Sequence, residues 1–237
     1  MSKKRKAAAK SIEFRPLKTF KPITSIRQAR KATSDFHHGI GSRSTYQSAS
    51  ALLTGLHKTS SKFVFRTITK LGIRPKAGEP KLDTLEIGAV NAQLIECPFL
   101  NVDAIDLKSR HPKIKEIDFF QVPPTPKYNL VVLAMVLNCV ETPEKRGEML
   151  VRCRKLLKPE GLFFLALPTR CFPSESIERF EKLIMENIGF ELVLKEETLK
   201  VFFSCFKAVP WQGEIQNELR LNERKNSLGI TVLSSKT

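Results

Sequence analysis

The spacing of apolar positions changes character along the chain. Residues 1–35 scatter isolated hydrophobes among basic residues, Ser/Thr, Pro16 and Pro22, with no sustained period, and read as a flexible arm. From Thr45 to Leu71 the period becomes helical. Tyr46, Ala49, Leu52, Leu53 and Leu56 form one group, and Phe63, Val64, Ile68 and Leu71 form a second. One or two helices beside the main domain are expected there. Gly72, Pro75, Gly78 and Pro80 then break the chain.

From Leu82 onward short apolar runs alternate with polar stretches that carry helix signals. Leu82–Ile87 predicts a strand that ends in Glu86-Ile87-Gly88, with Ala89-Val90-Asn91 leading into a helix. Val102–Leu107 predicts a second strand and Ile114–Ile117 a third. Tyr128–Leu133, apolar except for Asn129 and rich in valine, has the character of a buried central strand. Thr142 to Leu157 predicts a helix, with Thr142 as N-cap, Pro143 at its first position, Glu144 in the first turn and Lys155 and Lys158 near the end. Lys158-Pro159-Glu160-Gly161 breaks that helix and returns the chain into a strand, Leu162–Leu167. A further helix begins at Ser174, carries Ile177, Phe180, Leu183 and Ile184 on one face, and stops at Gly189. Phe190–Leu194, Leu199–Phe206 and Leu228–Leu233 are late β pieces. Strand alternating with helix and closed by β segments implies an α/β fold: a mostly parallel sheet covered on both faces, with an antiparallel strand pair at one edge. The expected organisation is a basic arm over 1–35, a helical segment over 36–80 and the sheet domain over 81–237.

Charge divides the chain in the same place. Residues 1–80 hold 18 Lys/Arg against three acids, whereas residues 81–237 hold 22 against 21. The overall +16 therefore belongs to the N-terminal part. A block this basic suggests an electrostatic partner, most often nucleic acid and less often an anionic membrane, or else a nuclear import signal, for which Lys3-Lys4-Arg5-Lys6 is suited. The longest apolar runs, Leu130–Leu137 and Leu162–Leu167, are too short to cross a bilayer, and no amphipathic anchor or lipidation signal supports a membrane-associated protein, so no membrane partner is expected. Five cysteines without CxxC or Cys/His ligand spacing predict buried thiols, with neither disulfide nor metal site. The four histidines likewise show no ligand spacing.

Candidate chemistry gathers at the ends of the predicted strands. Gly88 lets backbone approach a ligand, or simply makes a strand-to-helix turn. Asp106 stands 18 residues later, at the end of the second strand, where a carboxylate can accept both hydroxyls of a ribose; the alternative is a turn aspartate. Glu86 lies within the strand, where a carboxylate needs a reason: anchoring loop amides, the ammonium of a cofactor, or a partner Lys or Arg. Asp118 and Phe119 follow the third strand, in the position of an acceptor and a flanking hydrophobe for an adenine edge. Asn138 follows the fourth strand, where its amide could bond an incoming base; a plain turn residue is the other reading. Trp211 can stack on RNA or pack.

These motifs in conjunction resemble the fungal nucleolar large-subunit (25S) rRNA adenine-N1 methyltransferases. The likeness runs from Tyr46-Gln47-x-Ala49-Ser50 through Leu85-Glu86-Ile87-Gly88-Ala89, Ile105-Asp106-Leu107-x-Ser109-Arg110-x-Pro112 and Asp118-Phe119. It continues in Val136-Leu137-Asn138-x-Val140, Arg146-Gly147-Glu148-Met149-Leu150, Leu167-Pro168 and Lys225-Asn226 before the last strand. The chain departs from the broader methyltransferase pattern in lacking the later glycines of a Gly-x-Gly-x-Gly loop and an Asp/Asn-Pro-Pro-aromatic tetrapeptide. The resemblance implies a Rossmann-like class I methyltransferase with S-adenosyl-L-methionine as cofactor, held by Gly88, Asp106, Glu86, Asp118 and Phe119. It also implies Asn138 on the acceptor side, an adenine of large-subunit rRNA as substrate, and residence in the nucleolus of the nucleus. Related animal proteins that sense S-adenosylmethionine to control a protein partner supply the alternative. Both readings expect cofactor binding; the basic arm favours the RNA enzyme.

Overall fold

The structure, a computed structural model, describes Lys31, Asp35, Ile40 and residues 60–109, 111–125, 127–172, 176–213, 215, 219–221 and 228–233. The chain divides into two compact units, Met1–His57 and Lys58–Thr237. All the elements that follow belong to the second unit. Apart from Lys31, Asp35 and Ile40, the expected arm over 1–35 and the segment up to residue 59, with the helix over Tyr46–Leu56, lie outside the described residues.

Helix α1 (Ser60–Lys70) realises the second helical group, with Phe63, Val64 and Ile68 buried and Leu71 left exposed just beyond its end. Five parallel strands follow: β1 (Leu82–Ile87), β2 (Leu100–Asp106), β3 (Lys115–Glu116), β4 (Tyr128–Ala134) and β5 (Leu157–Pro168). Between β4 and β5 runs α2 (Pro143–Leu156), whose Thr142 cap accepts from the Lys145 amide as the sequence predicts. Helix α3 (Ser176–Ile188) leads to β6 (Phe190–Glu197) and β7 (Val201–Ala208), an antiparallel pair at the sheet edge. The strand order is β3-β2-β1-β4-β5-β7-β6. It reverses between β1 and β4, the kind of place where open α/β sheets bind ligands beyond the carboxyl ends of their strands.

Alternating side chains give each face of the sheet its own core. Leu85, Ile87, Val131, Leu133, Phe163 and Leu165 pack beneath α2 and α3. On the other face Leu130, Val132, Phe164, Ala166 and Phe203 meet Phe63, Val64 and Ile68 of α1, with Phe63 edge-on to Phe164 at 6.0 Å between centroids. Leu130–Leu133 of β4 and Leu162–Leu167 of β5 are buried whichever way they point, hence their unbroken apolar sequence.

Three expectations need correction. No helix follows Gly88: residues 89–99 form turns. Asn91 accepts from the Gln93 amide and diverts the chain early, and Leu94 and Cys97 fold back into the face that α1 covers. Strand and helix therefore do not alternate through residues 82–167, where α2 is the one α-helix among the described residues. Leu228–Leu233 does not join the main sheet either. Its β9 (Ile230–Val232) pairs with β8 (Leu219–Leu221) and packs on α2. Gly147 makes this possible, since a Cβ there would sit 1.9 Å from the Thr231 carbonyl oxygen. A glycine costs a helix interior about 1 kcal/mol against alanine, and close approach of the β9 backbone is the reason for it.

Candidate active site

The strand ends Ile87, Asp106, Glu116 and Ala134 share one edge because their strands are parallel and in register. Gly88 turns the chain there at φ +74°, and its amide and that of Ala89 both donate to the Ile105 carbonyl of β2, at 2.8 and 3.0 Å. A Cβ on Gly88 would meet Val136 Cγ2 at 2.1 Å. Two independent constraints, a left-handed backbone and a close neighbour, thus demand glycine.

Around that turn stand the predicted carboxylates. Asp106 ends β2, holds the Lys108 amide with Oδ1 at 2.8 Å, and places Oδ2 3.9 Å from where a Gly88 Cβ would lie. Glu86 precedes the turn between Ala104 on β2 and Val132 on β4. It is only 9% exposed, and its Oε2 has no hydrogen-bond partner. Burial in this apolar setting pushes its carboxyl up to about 7. Asp118 caps the short turn Phe119–Gln121, with Oδ1 accepting from the Phe120 amide at 3.0 Å. Phe119 itself is a core side chain, its ring set edge-on to Phe120, which is half-buried. Gly88, Glu86 and Asp106 therefore come together at one turn, and Asp118 follows β3 at the same edge of the sheet.

Across the switch point lies the loop after β4. Met135 adopts φ +60° and donates its amide to Ala166 of β5 at 2.8 Å; the chain then turns through Leu137–Cys139. Asn138 sits on this turn with its amide nitrogen 3.4 Å from Cys139 Sγ and a buried, unpartnered Oδ1. Buried Arg146 fixes the loop from α2, donating Nε to the Val140 carbonyl at 2.9 Å and Nη1 to the Gly229 carbonyl at 2.8 Å. Met135, Val136 and Arg146 had no assigned role in the sequence reading. A left-handed methionine leaves no signature in sequence, whereas Arg146-Gly147 was visible as a motif without its purpose. Trp211 packs its side chain against Gly189 and beneath the Arg154 guanidinium.

A family described as 25S rRNA (adenine(2142)-N(1))-methyltransferase, Bmt2, matches residues 32–229. The chain belongs to the Bmt2 family. A Schizosaccharomyces pombe protein named 25S rRNA adenine-N(1) methyltransferase is 33% identical over 157 residues, 59% of this chain and 57% of that protein. The Saccharomyces cerevisiae 25S rRNA (adenine(2142)-N(1))-methyltransferase is 28% identical over 169 residues, 65% and 49% of the two chains. This Bmt2-family chain thus spans about half the length of the curated relatives it matches. Its fold is shared with the Burkholderia thailandensis 1,6-didemethyltoxoflavin-N1-methyltransferase, solved with S-adenosylhomocysteine, at TM-score 0.52 and 14% identity over 81% of this chain and 94% of that one.

The residues at the Gly88 turn fit S-adenosylmethionine. The orphaned Glu86 oxygen calls for a cation or donor, and the outer oxygen of Asp106 stands beside a turn that only glycine can make. Among the described residues no three His, Cys, Asp or Glu side chains group to hold a metal ion, and no helix is long and apolar enough to cross a membrane.

Proposed function

We propose that this chain is an S-adenosylmethionine-dependent methyltransferase acting on N1 of an adenine in large-subunit rRNA. The observation that carries the reading is the meeting of Gly88, Asp106 and the unpartnered Glu86 carboxylate at the switch point of a Bmt2-family fold. When bound, the cofactor supplies an electrophilic methyl group on a sulfonium. Asp106 accepts the ribose hydroxyls, Glu86 compensates the positive charge, Asp118 accepts from the adenine edge and Phe119 backs that turn from the core. Asn138, whose buried Oδ1 lacks a partner, orients the target base through its amide. Adenine N1 already carries an in-plane lone pair, so the protein needs no strong general base. Its task is to position the reactants and hold the base out of stacking. Lys3-Lys4-Arg5-Lys6 suits delivery to the nucleus and nucleolus, where the substrate is made.

Labelled S-adenosylmethionine and unmodified large-subunit rRNA provide the test, with N1-methyladenine mapped afterwards. Wild type should label one adenine and Asp106→Ala none. Tight cofactor binding with no transfer to RNA, together with a protein partner released by the cofactor, would replace this reading with that of a sensor.

A further inference from the structure

Helix α1 carries a charge pattern that neither the cofactor site nor the core explains. Its apolar side is buried against β4, β5 and β7, so its opposite side faces outward and bears Lys62, Arg66 and Lys70 one turn apart, with Arg74 following. Residues 60–81 hold six Lys/Arg and a single acid, Glu79, whereas residues 82–237 hold 21 of each sign. The excess positive charge of the described fold is thus confined to this helix and the loop after it.

The helix is also aimed. Ser60, at its start, lies with Ala134 and Ala166 at the carboxyl ends of β4 and β5, the sheet edge from which the chain leaves toward Asn138. Its far end leads to Arg74, whose guanidinium stacks 4.6 Å over Phe99 just before β2 begins. The basic row therefore starts at the acceptor edge and runs down the face of the domain, covering about 12 Å between Lys62 and Lys70. Arg66 is pinned by Glu196 at 2.9 Å, which orders the middle of the row.

We infer that the outward face of α1, through Lys62, Arg66, Lys70 and Arg74, is a phosphate-tracking surface for the rRNA strand that flanks the target adenine. The inference rests on the RNA-methyltransferase reading and adds a docking surface on the folded domain, separate from the basic arm. Phosphate contacts of this kind fix register and orientation without reading sequence. Their signature is a steep dependence of affinity on salt.

The test is binding of a large-subunit rRNA fragment by the full chain across a potassium chloride series. Three chains are compared: wild type, Lys62→Gln/Lys70→Gln/Arg74→Gln, and Lys182→Gln on α3 as a distant control. Each lost phosphate contact on a single strand lowers the log–log salt slope by about 0.7, so the triple variant should lose about 2 and the control almost nothing. Affinity at moderate salt should fall about tenfold or more, and KM for RNA should rise while S-adenosylmethionine affinity stays unchanged. An unchanged slope with intact cofactor binding overturns the surface and leaves the enzyme reading standing. Wild type that binds cofactor yet not rRNA overturns both. Should the triple variant lose cofactor binding, the single Lys62→Gln and Lys70→Gln chains decide: a slope lower by about 0.7 in each supports the surface, and no change refutes it.

Discussion

The two halves of the sheet treat their polar groups differently. Around β1, β2 and β3 the carboxyl edge is built of turns, and its carboxylates are only partly used. Asp106 and Asp118 each hold an amide of their own turn, and Glu86 leaves an oxygen with no partner. The arginines of α2 act instead as internal clamps, on the loop after β4, on the residue before β9 and on the ends of β6 and β7, and one of them reaches the turn after β3. Arg146 holds Val140 and Gly229, Arg152 holds Phe120 and Val122, and Arg154 holds Gly189 and Val209, all through backbone carbonyls. The clamped part satisfies its carbonyls from within the chain, whereas the Gly88 turn leaves the Glu86 oxygen unmet. Damage to the first should therefore be read as lost stability, and damage to the second as lost binding. The clamped part is not fully satisfied either: Asn138 Oδ1, Arg152 Nε, Glu181 Oε1 and Ser204 Oγ are buried without a partner.

The largest effect should come from the clamp. Arg146→Ala removes the charge-assisted hydrogen bonds to the Val140 and Gly229 carbonyls and leaves the Gly229 carbonyl buried without its donor. At roughly 1.5–3 kcal/mol each, the loss should reach about 4 kcal/mol in urea unfolding. Equilibrium melts of wild type and variant measure it, and a difference below about 1 kcal/mol would mean that β9 and the acceptor loop are held by packing alone.

Glu86 sharpens the comparison with the opposite sign. A carboxyl raised from an ordinary 4.5 to about 7 by burial makes the folded state prefer the protonated form. The group's contribution is thus intact below its unfolded value and lost as pH rises through the folded one. Wild type should lose about 3 kcal/mol between about pH 5 and about pH 8 from this group, and Glu86→Gln should not. A cation bound beside the carboxylate reverses the penalty, so S-adenosylmethionine affinity should rise with pH through 7 in wild type and stay flat in Glu86→Gln. Parallel pH profiles for the two chains would remove Glu86 from the site.

The same contrast explains what sequence could and could not reveal. Leu130–Leu133 of β4 and Leu162–Leu167 of β5, buried on both faces, announce themselves as unbroken apolar runs, and the Thr142-Pro143 start of α2 is written in its capping chemistry. The meeting of Gly88, Glu86 and Asp106 at one edge is legible because β1 ends in Glu86-Ile87-Gly88 and β2 in Asp106, and the two strands pair in parallel. The turns at 89–99 are not, since Leu94 and Cys97 have the spacing of a helix face and only tertiary contact turns them into a plug. Leu228–Leu233 has the pattern of a sheet strand. Its assignment to β8 depends on Gly147 and Arg146, more than 80 residues earlier in the chain.

Gly88→Ala tests whether the turn belongs to the ligand half in the sense proposed. A left-handed alanine costs about 1–2 kcal/mol, to which displacement of Val136 adds, for about 2 kcal/mol in all. Adding Val136→Ala should recover the packing part and leave the backbone part, so the double variant melts between the other two. Full recovery would show that Val136, rather than the backbone, is what requires glycine.

Asp106→Ala should change the stability of the free chain least and its ligand response most. The side chain is half-exposed and gives up one hydrogen bond, to the Lys108 amide within its own turn, which water can replace. A cost below about 0.5 kcal/mol is expected in the absence of cofactor. Wild type with S-adenosylmethionine at about a hundred times its dissociation constant should gain about 2.7 kcal/mol, and the variant at the same concentration should gain little. Thermal melts with and without the cofactor separate the two quantities. If Asp106→Ala instead melted much lower without cofactor and gained as much as wild type with it, Asp106 would belong with the clamps, and the ribose-binding group would have to be sought elsewhere on the carboxyl edge.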